Sequence, residues 1–251
     1  MHKRTSQEYD RIKARIEEWA LEDADAIADL CSELIQCETP SEPGDTRSAA
    51  EVVERFLQKA SLPYEVLSQD ETMPSILSSF QGAREGRHFM FNGHMDVMPA
   101  GSEPGWSDSP WSGNIEDGRV WGRGAQDMKG GLAAMLFAYV YLARLSDQFA
   151  GRVSISIVSD EESGLGRGTG FLFEARPDEM TADCVLAGEP SGVDAISFSS
   201  KGYLQADVIV KARGAIAGYG CESRNAIDVA TVSGDGALSG ILKPADAARA
   251  Q

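Results

Sequence analysis

Six residues of this chain have the types and spacing to do chemistry together: His94, Asp96, Asp127, Glu161, Glu162 and Glu189. They lie in four short segments, Gly93-His94-Met95-Asp96, Gly124-Ala125-Gln126-Asp127-Met128-Lys129-Gly130-Gly131, Asp160-Glu161-Glu162-Ser163 and Gly188-Glu189-Pro190. One imidazole among carboxylates is the donor set of a catalytic zinc site, in which nitrogen and oxygen hold the ion and one position stays open to water. His94 is the natural first ligand. Asp96, two residues on in extended backbone, points to the same side and can accept the other imidazole N–H, fixing the tautomer and raising ligand basicity. Asp127 can bridge two ions with its two oxygens, and Glu162 and Glu189 then terminate one each. Three ligand carboxylates and a hydroxide balance two divalent cations, so charge counting suits a pair. Glu161, beside Glu162 and not needed as a ligand, is left to act as general base.

Each residue alone has a plainer reading. A histidine in a Gly-His-Met-Asp turn is commonly structural, Asp127 suits a helix N-cap, a Glu-Glu pair after a strand is commonly a solvated turn, and Glu189-Pro190 can simply start one. Their joint occurrence in this order is what points to a site.

Helix and strand must alternate to bring these segments together. Residues 7–35 have helical periodicity, with Ile12, Ile16, Trp19, Ala20, Ile27, Leu30 and Leu34 on the apolar side. Thr39-Pro40-Ser41-Glu42-Pro43-Gly44 breaks it. A second helix is predicted over 46–60 on Ala49, Val52, Val53, Phe56 and Leu57, and a strongly apolar one over 132–145. Strands are predicted over 64–67, 75–80, 88–92 and the alternating 153–158, with a short buried strand over 184–187. Residues 99–124, rich in Gly, Pro, Ser and Trp, lack any period and read as a long ordered loop, of a length usually reserved for function. The alternation implies an α/β sandwich with a mostly parallel or mixed sheet. Every candidate residue falls just after a predicted strand or at a helix start, and open α/β sheets bind ligands at the carboxyl ends of their strands.

A chain of 251 residues, 42% of them hydrophobic, can build one large or two modest domains around a real core. Its formal net charge of -16 argues against nucleic acid and anionic membrane surfaces as partners, although bound cations would neutralise part of it. No apolar run approaches a membrane span, and residues 1–19 lack the apolar core and cleavage site of a secretion signal. Cys31, Cys37, Cys184 and Cys221 show neither metal-type spacing nor a disulfide framework. Cys31 and Cys37, six apart on a predicted helix, face roughly opposite sides. The expected compartment is a reducing cytoplasm.

The four segments, with Val97 and Trp121-Gly122-Arg123 beside them, resemble the dinuclear zinc family that includes acetylornithine deacetylase, succinyl-diaminopimelate desuccinylase, aminoacylase and glutamate carboxypeptidase. The similarity runs over about 27–227. It implies an aminopeptidase-like α/β catalytic domain over 1–198, lacking its closing segment, and a partial α+β lid over 199–251 of the kind that forms homodimers. It also implies His94 and Glu189 on one zinc, Glu162 on the other, Asp127 bridging, Glu161 as base and Asp96 as the orienter. A cis peptide after Asp127 belongs to the same pattern. Zinc is the expected metal, with cobalt or manganese as alternatives, and the expected reaction is hydrolysis of an N-acyl amino acid or peptide bond beside a carboxylate.

The chain also departs from that pattern. Lys201-Gly202 and residues 204–210 resemble the entry to the lid, and Asn225-Ala226-Ile227 is present, but the preceding Gly214-Ala215-Ile216-Ala217-Gly218-Tyr219 lacks the expected oxyanion-binding histidine. The last metal-binding histidine also has no counterpart, since the histidines are His2, His88 and His94. The resemblance therefore implies a weak second zinc, and leaves a non-catalytic metal- or metabolite-binding remnant of the same fold as the alternative. Arg123, Lys129 and Arg167 can hold a substrate carboxylate or serve as surface charges and structural pairs.

Overall fold

A computed structural model of the protein describes residues 6–41, 44–102, 105–192, 194–199 and 209. The expected lid therefore lies outside the described residues except for Ser199 and Ile209. By its contacts the chain divides into two units, Met1–Ile196 and Ser197–Gln251.

The period over 7–35 produces two helices, α1 (Ser6–Glu22) and α2 (Ala24–Gln36), separated at Asp23. The Tyr141 hydroxyl lies 2.9 Å from Asp23 Oδ2 and 3.1 Å from the Trp19 carbonyl oxygen, a tertiary anchor at the break that helical periodicity does not reveal. Helix α1 buries no residue fully, and its Trp19 leans on Tyr141 with ring centroids 5.7 Å apart. Helix α3 (Arg47–Lys59) buries Ala49, Ala50, Val52, Val53 and Leu57, the face its 3.6-residue period specifies. Helix α4 (Gly130–Arg144) is apolar nearly all round, as a helix in a core should be.

Five strands form one mixed sheet: β1 (Glu65–Leu67), β2 (Ser75–Gln81), β3 (Arg84–His94), β6 (Ala150–Val158) and β7 (Cys184–Ala187). Their order is β1-β2-β6-β3-β7. The β1/β2 and β2/β6 pairs are antiparallel, while β3 runs parallel to both β6 and β7. Period-two alternation sends Ile76, Phe91, Val153, Ile155 and Ile157 to the face covered by α2, α3 and α4. Leu77, Met90 and Val158 go to the other face, against Leu172 of α5 (Arg167–Ala175) and Met180 of α6 (Pro177–Met180). The chain is thus an α/β protein with helices on both sides of a mixed sheet. No helix among the described residues is long and apolar enough to cross a membrane.

Several local expectations are corrected. Strand β3 runs on to His94, two residues past its predicted end. Strand β7 forms where expected, but all four of its residues are exposed. It is last in the strand order, and a short apolar run reads the same whether its faces are covered or not. The long loop contains a hairpin of β4 (Ile115–Glu116) and β5 (Arg119–Val120), turned by Asp117 and Gly118 at φ of 52° and 70°. Positive φ at both central residues is the two-residue turn that Asp-Gly favours.

The site follows from the strand order. From β3 the chain crosses by α4 on one face to β6, then returns by α5 and α6 on the other face to β7, so β3 is flanked by both. Reversal of travel across a parallel sheet opens a crevice at the strands' carboxyl ends. His94 ends β3, Glu161 and Glu162 follow β6, and Glu189 follows β7.

Candidate metal centre

His94 is 1% exposed at the end of β3. Its Nδ1 lies 2.8 Å from the main-chain carbonyl oxygen of Asp96, an acceptor, so Nδ1 carries the proton and donates it. The lone pair is thereby left on Nε2. That atom is buried and, among the described residues, has no hydrogen-bond partner. It is 3.3 Å from Asp127 Oδ1, 3.5 Å from Glu189 Oε1 and 3.7 Å from Glu161 Oε2. An imidazole lone pair facing carboxylate lone pairs is a poor arrangement without a cation between them.

Two sets of donors converge on this imidazole: His94 with Glu161 and Glu189, and His94 with Asp127 and Glu162. Within each set the ligand atoms lie within 4.8 Å of one another. The fold thus gathers His94, Asp127, Glu161, Glu162 and Glu189 from the segments that carry them. Glu161, expected to stand apart from the ligands, shares a set with Glu189.

Asp96 is fully buried. Its carboxylate is 3.6 Å from His94 Nδ1, and the shorter contact to the imidazole comes from its carbonyl. The carboxylate instead accepts the Glu161 N–H at 3.1 Å on Oδ1 and the Glu162 N–H at 3.0 Å on Oδ2. Spacing in sequence compares side chains only, so this use of the main chain was not visible in it. Asp127 does not cap a helix. It lies in a π-type turn, Ala125–Lys129, with φ -125° and ψ 100°, and the Asp127–Met128 peptide is cis. Helix α4 begins after this turn, at Gly130.

A close approach joins two carriers of the site. A Cβ added at Gly131, on the first turn of α4, would collide with the carbonyl oxygen of Gly188, the residue before Glu189. Backbone on both sides leaves little room to yield. Gly131→Ala is expected to cost about 1–3 kcal/mol, the usual range for overpacking a rigid site. Denaturant unfolding of the metal-free protein would measure it.

Electrostatics match the geometry. Burial pushes the Glu189 carboxyl up to about 7, with Asp127 and Glu161 adding to the rise and His94 opposing it. Burial, then Asp127, also raises Glu162. For His94, burial pulls the imidazole down, but Asp96, Glu189, the Asp96 carbonyl and Glu161 outweigh it, and the net direction is up. Excess negative charge around a buried nitrogen lone pair is what divalent cations would neutralise, so the donor set fits them.

A pH dependence follows for the metal-free protein. Glu189 rises from 4.5 to about 7 on folding, so its stabilisation is complete below about pH 4.5 and is lost as pH climbs through 7. His94 is raised too, and its contribution fades in the same direction at higher pH. Chelated protein should lose stability across this window, and Glu189→Gln should flatten the slope. Denaturation midpoints in the presence of a chelator, measured against pH, would check this.

The neighbouring cations have separate environments. Arg167 pairs with the buried Asp160 at 2.6 Å, Lys129 is fully buried and donates to the Cys37 carbonyl at 2.8 Å, and Arg123 lies over the Trp106 ring. Asp160, named in the sequence as part of its segment but given no role there, has one in the structure. Its φ of 66° turns the chain just before Glu161, and a bidentate contact with Arg167 holds it. An aspartate directly after an apolar strand is the only signal that marks it. Thr39 was also missed, and its hydroxyl donates to the Met95 carbonyl at 2.7 Å. His88 points elsewhere, with Nε2 at 2.6 Å from Ser154 Oγ.

The family model described as Peptidase family M20/M25/M40 matches residues 90–238, a stretch that contains all six candidate residues. Succinyl-diaminopimelate desuccinylase of Rhodopseudomonas palustris (strain BisA53) is 35% identical over 199 residues, which is 74% of this chain and 49% of that protein. The chain thus spans about half the length of this curated relative. Among solved structures, an M20 family metallo-carboxypeptidase from Sulfolobus solfataricus superposes with a TM-score of 0.54 at 21% identity, covering 63% of this chain and 36% of the other. The di-peptidase Dug1p from Saccharomyces cerevisiae gives 0.57 at 19%, covering 68% and 40%. At such identities the two structures speak for the fold alone. With the family model matched over more than half of its length and a relative at 35% identity, this chain belongs to peptidase family M20/M25/M40.

Proposed function

We propose that the protein works as a metal-dependent hydrolase of an amide bond, in an N-acyl amino acid or a small peptide. The observation that carries this reading is the buried His94 Nε2, with no hydrogen-bond partner among the described residues and with carboxylates from separate segments around it. His94, Asp127, Glu162 and Glu189 would hold the divalent cations, with Glu161 beside them. Zinc suits this mixture of imidazole and carboxylate, with cobalt or manganese as substitutes. Bound there, such ions supply Lewis acidity for the substrate carbonyl and acidify a water. Glu161 takes the proton of the attacking water on its carboxylate and returns it to the departing amine. Asp96 keeps Glu161 and Glu162 in place through their N–H groups.

The relative at 35% identity is named for the removal of a succinyl group from succinyl-diaminopimelate, an N-acyl amino acid, which supports that class here. Residues 1–198 as catalytic body, residues 199–251 as part of a dimerising lid, and a cytoplasmic location belong to the same reading. The test is elemental analysis of the purified, dialysed chain, followed by a screen of N-acyl amino acids and dipeptides with and without chelator. Bound zinc with chelator-sensitive amide cleavage supports the proposal. A chain that takes up no divalent metal overturns it.

A further inference from the structure

Asp96 holds the segment that carries Glu161 and Glu162 through two main-chain N–H groups. The start of that segment is held by two buried hydroxyls that the proposed chemistry does not use. Ser159 follows β6 two residues before Glu161, Thr46 directly precedes α3, and both are 0% exposed. Their side-chain oxygens lie 2.6 Å apart, and Ser159 Oγ lies 2.6 Å from the carbonyl oxygen of Pro74, just before β2. A carbonyl can only accept, and a hydroxyl has one proton to give. The Ser159 proton therefore goes to Pro74, and Thr46 donates to Ser159 Oγ. Packing alone does not account for the pair. Thr46 is the N-cap residue of α3, where threonine commonly accepts a first-turn N–H, and among the described residues its side chain makes no such bond. Two apolar side chains would fill the space without desolvating two hydroxyls. The neighbouring main chain is held as well. Thr46 N–H donates to the Thr72 carbonyl at 2.9 Å, and a Cβ added at Gly168 of α5 would collide with the Ser159 carbonyl oxygen.

We propose that Ser159 and Thr46 are positioning residues of the metal centre: their directed hydroxyl pair fixes where the chain leaves β6, and so where Glu161 and Glu162 meet His94. This role rests on the metal-centre reading above. The register of β2 with β6 runs to Ile76 opposite Ile157, and Pro74 offers no N–H to extend the ladder. The Ser159 side chain ties the two strands where the main chain does not. One residue on, Asp160 turns at φ 66°, so a shift at Ser159 passes directly to both glutamates. Metal-binding constellations tolerate only about 0.5 Å of such misplacement. The direction of donation makes the two hydroxyls unequal. Removing that of Thr46 leaves Ser159 bonded to Pro74, whereas removing that of Ser159 cuts both links.

The test is zinc affinity by competition with a chromophoric chelator, for the wild-type chain, Ser159→Ala, Thr46→Val, Thr46→Ser and the Ser159→Ala/Thr46→Val pair. Ser159→Ala is expected to bind zinc about 10-fold more weakly, the lower end of the usual loss for a partner behind the ligands. Thr46→Val should lose a smaller factor, and Thr46→Ser, which keeps the donor, should match wild type. The pair should bind no more weakly than Ser159→Ala, because Thr46 acts only through Ser159. Unchanged zinc affinity in Ser159→Ala overturns the inference, as do losses that multiply in the pair, or a Thr46→Ser chain no better than Thr46→Val. Melting of the metal-free forms, run alongside, separates a purely structural role: lowered stability with wild-type zinc affinity also overturns it. If Ser159→Ala does not fold, the comparison of Thr46→Val with Thr46→Ser carries the test. A wild-type chain that holds no zinc removes the metal-centre reading and this inference with it. A wild type that binds while the hydroxyl variants match it removes only the inference.

Discussion

His94→Ala is expected to remove tight metal binding altogether, with zinc affinity falling by more than the roughly 100-fold that marks the upper end for indirect partners. This side chain provides the only imidazole nitrogen in either donor set, and both sets include it. Losing any one carboxylate leaves oxygens that can shift or be replaced by water, whereas losing the imidazole leaves none but carboxylate donors. The fold should survive. Among the described residues the Nδ1 hydrogen bond to the Asp96 carbonyl is the one hydrogen bond of this ring, and alanine at the end of β3 keeps the main-chain ladder to β6. Circular dichroism that matches wild type, together with loss of zinc in elemental analysis, is the expected pair of results. Retention of zinc by His94→Ala would mean that the ion sits elsewhere.

The second large effect concerns Glu161. Gln at this position preserves shape and removes the proton acceptor, so amide hydrolysis should fall by about 10²–10⁴-fold, the range for a general base. Zinc should stay bound with little change, because Glu161→Gln keeps a carbonyl oxygen and both Asp96 hydrogen bonds, which are made to main-chain N–H groups. The opposite pattern is informative too. Glu161 Oε2 lies 3.7 Å from His94 Nε2, close to the 3.5 Å of Glu189. If Glu161 is mainly a ligand, the same substitution will strip metal and activity together. Parallel measurement of zinc content and rate distinguishes the roles, and a chain that only binds metabolites would show no rate to lose.

Much of this was legible in the residue order. The alternation of Val153, Ile155 and Ile157, the face of α3 and the placement of acidic groups after strands all follow from local periodicity, and they sufficed to anticipate the fold class and to nominate the residues that converge on His94. What was not legible depends on groups that periodicity ignores. The break at Asp23 has its anchor in a tyrosine more than a hundred residues away. The carbonyl of Asp96, not its carboxylate, makes the short contact to the imidazole, and no side-chain spacing encodes that choice. The exposure of β7 depends on what covers it, which its four residues cannot express. The hairpin around Asp117-Gly118 did have a local signal, and a search for apolar period alone passes over it.

One carboxylate holding two consecutive N–H groups has a thermodynamic consequence. Glu161 and Glu162 belong to different donor sets, yet Asp96 fixes them as one unit, and His94 is common to both sets. The sets therefore cannot respond to ligation independently. Occupation of either one changes the free energy of filling the other, by the same factor in both directions, because coupling between sites is reciprocal. Titration of such a centre should follow a linked isotherm, and two separate dissociation constants fitted to it would describe neither position.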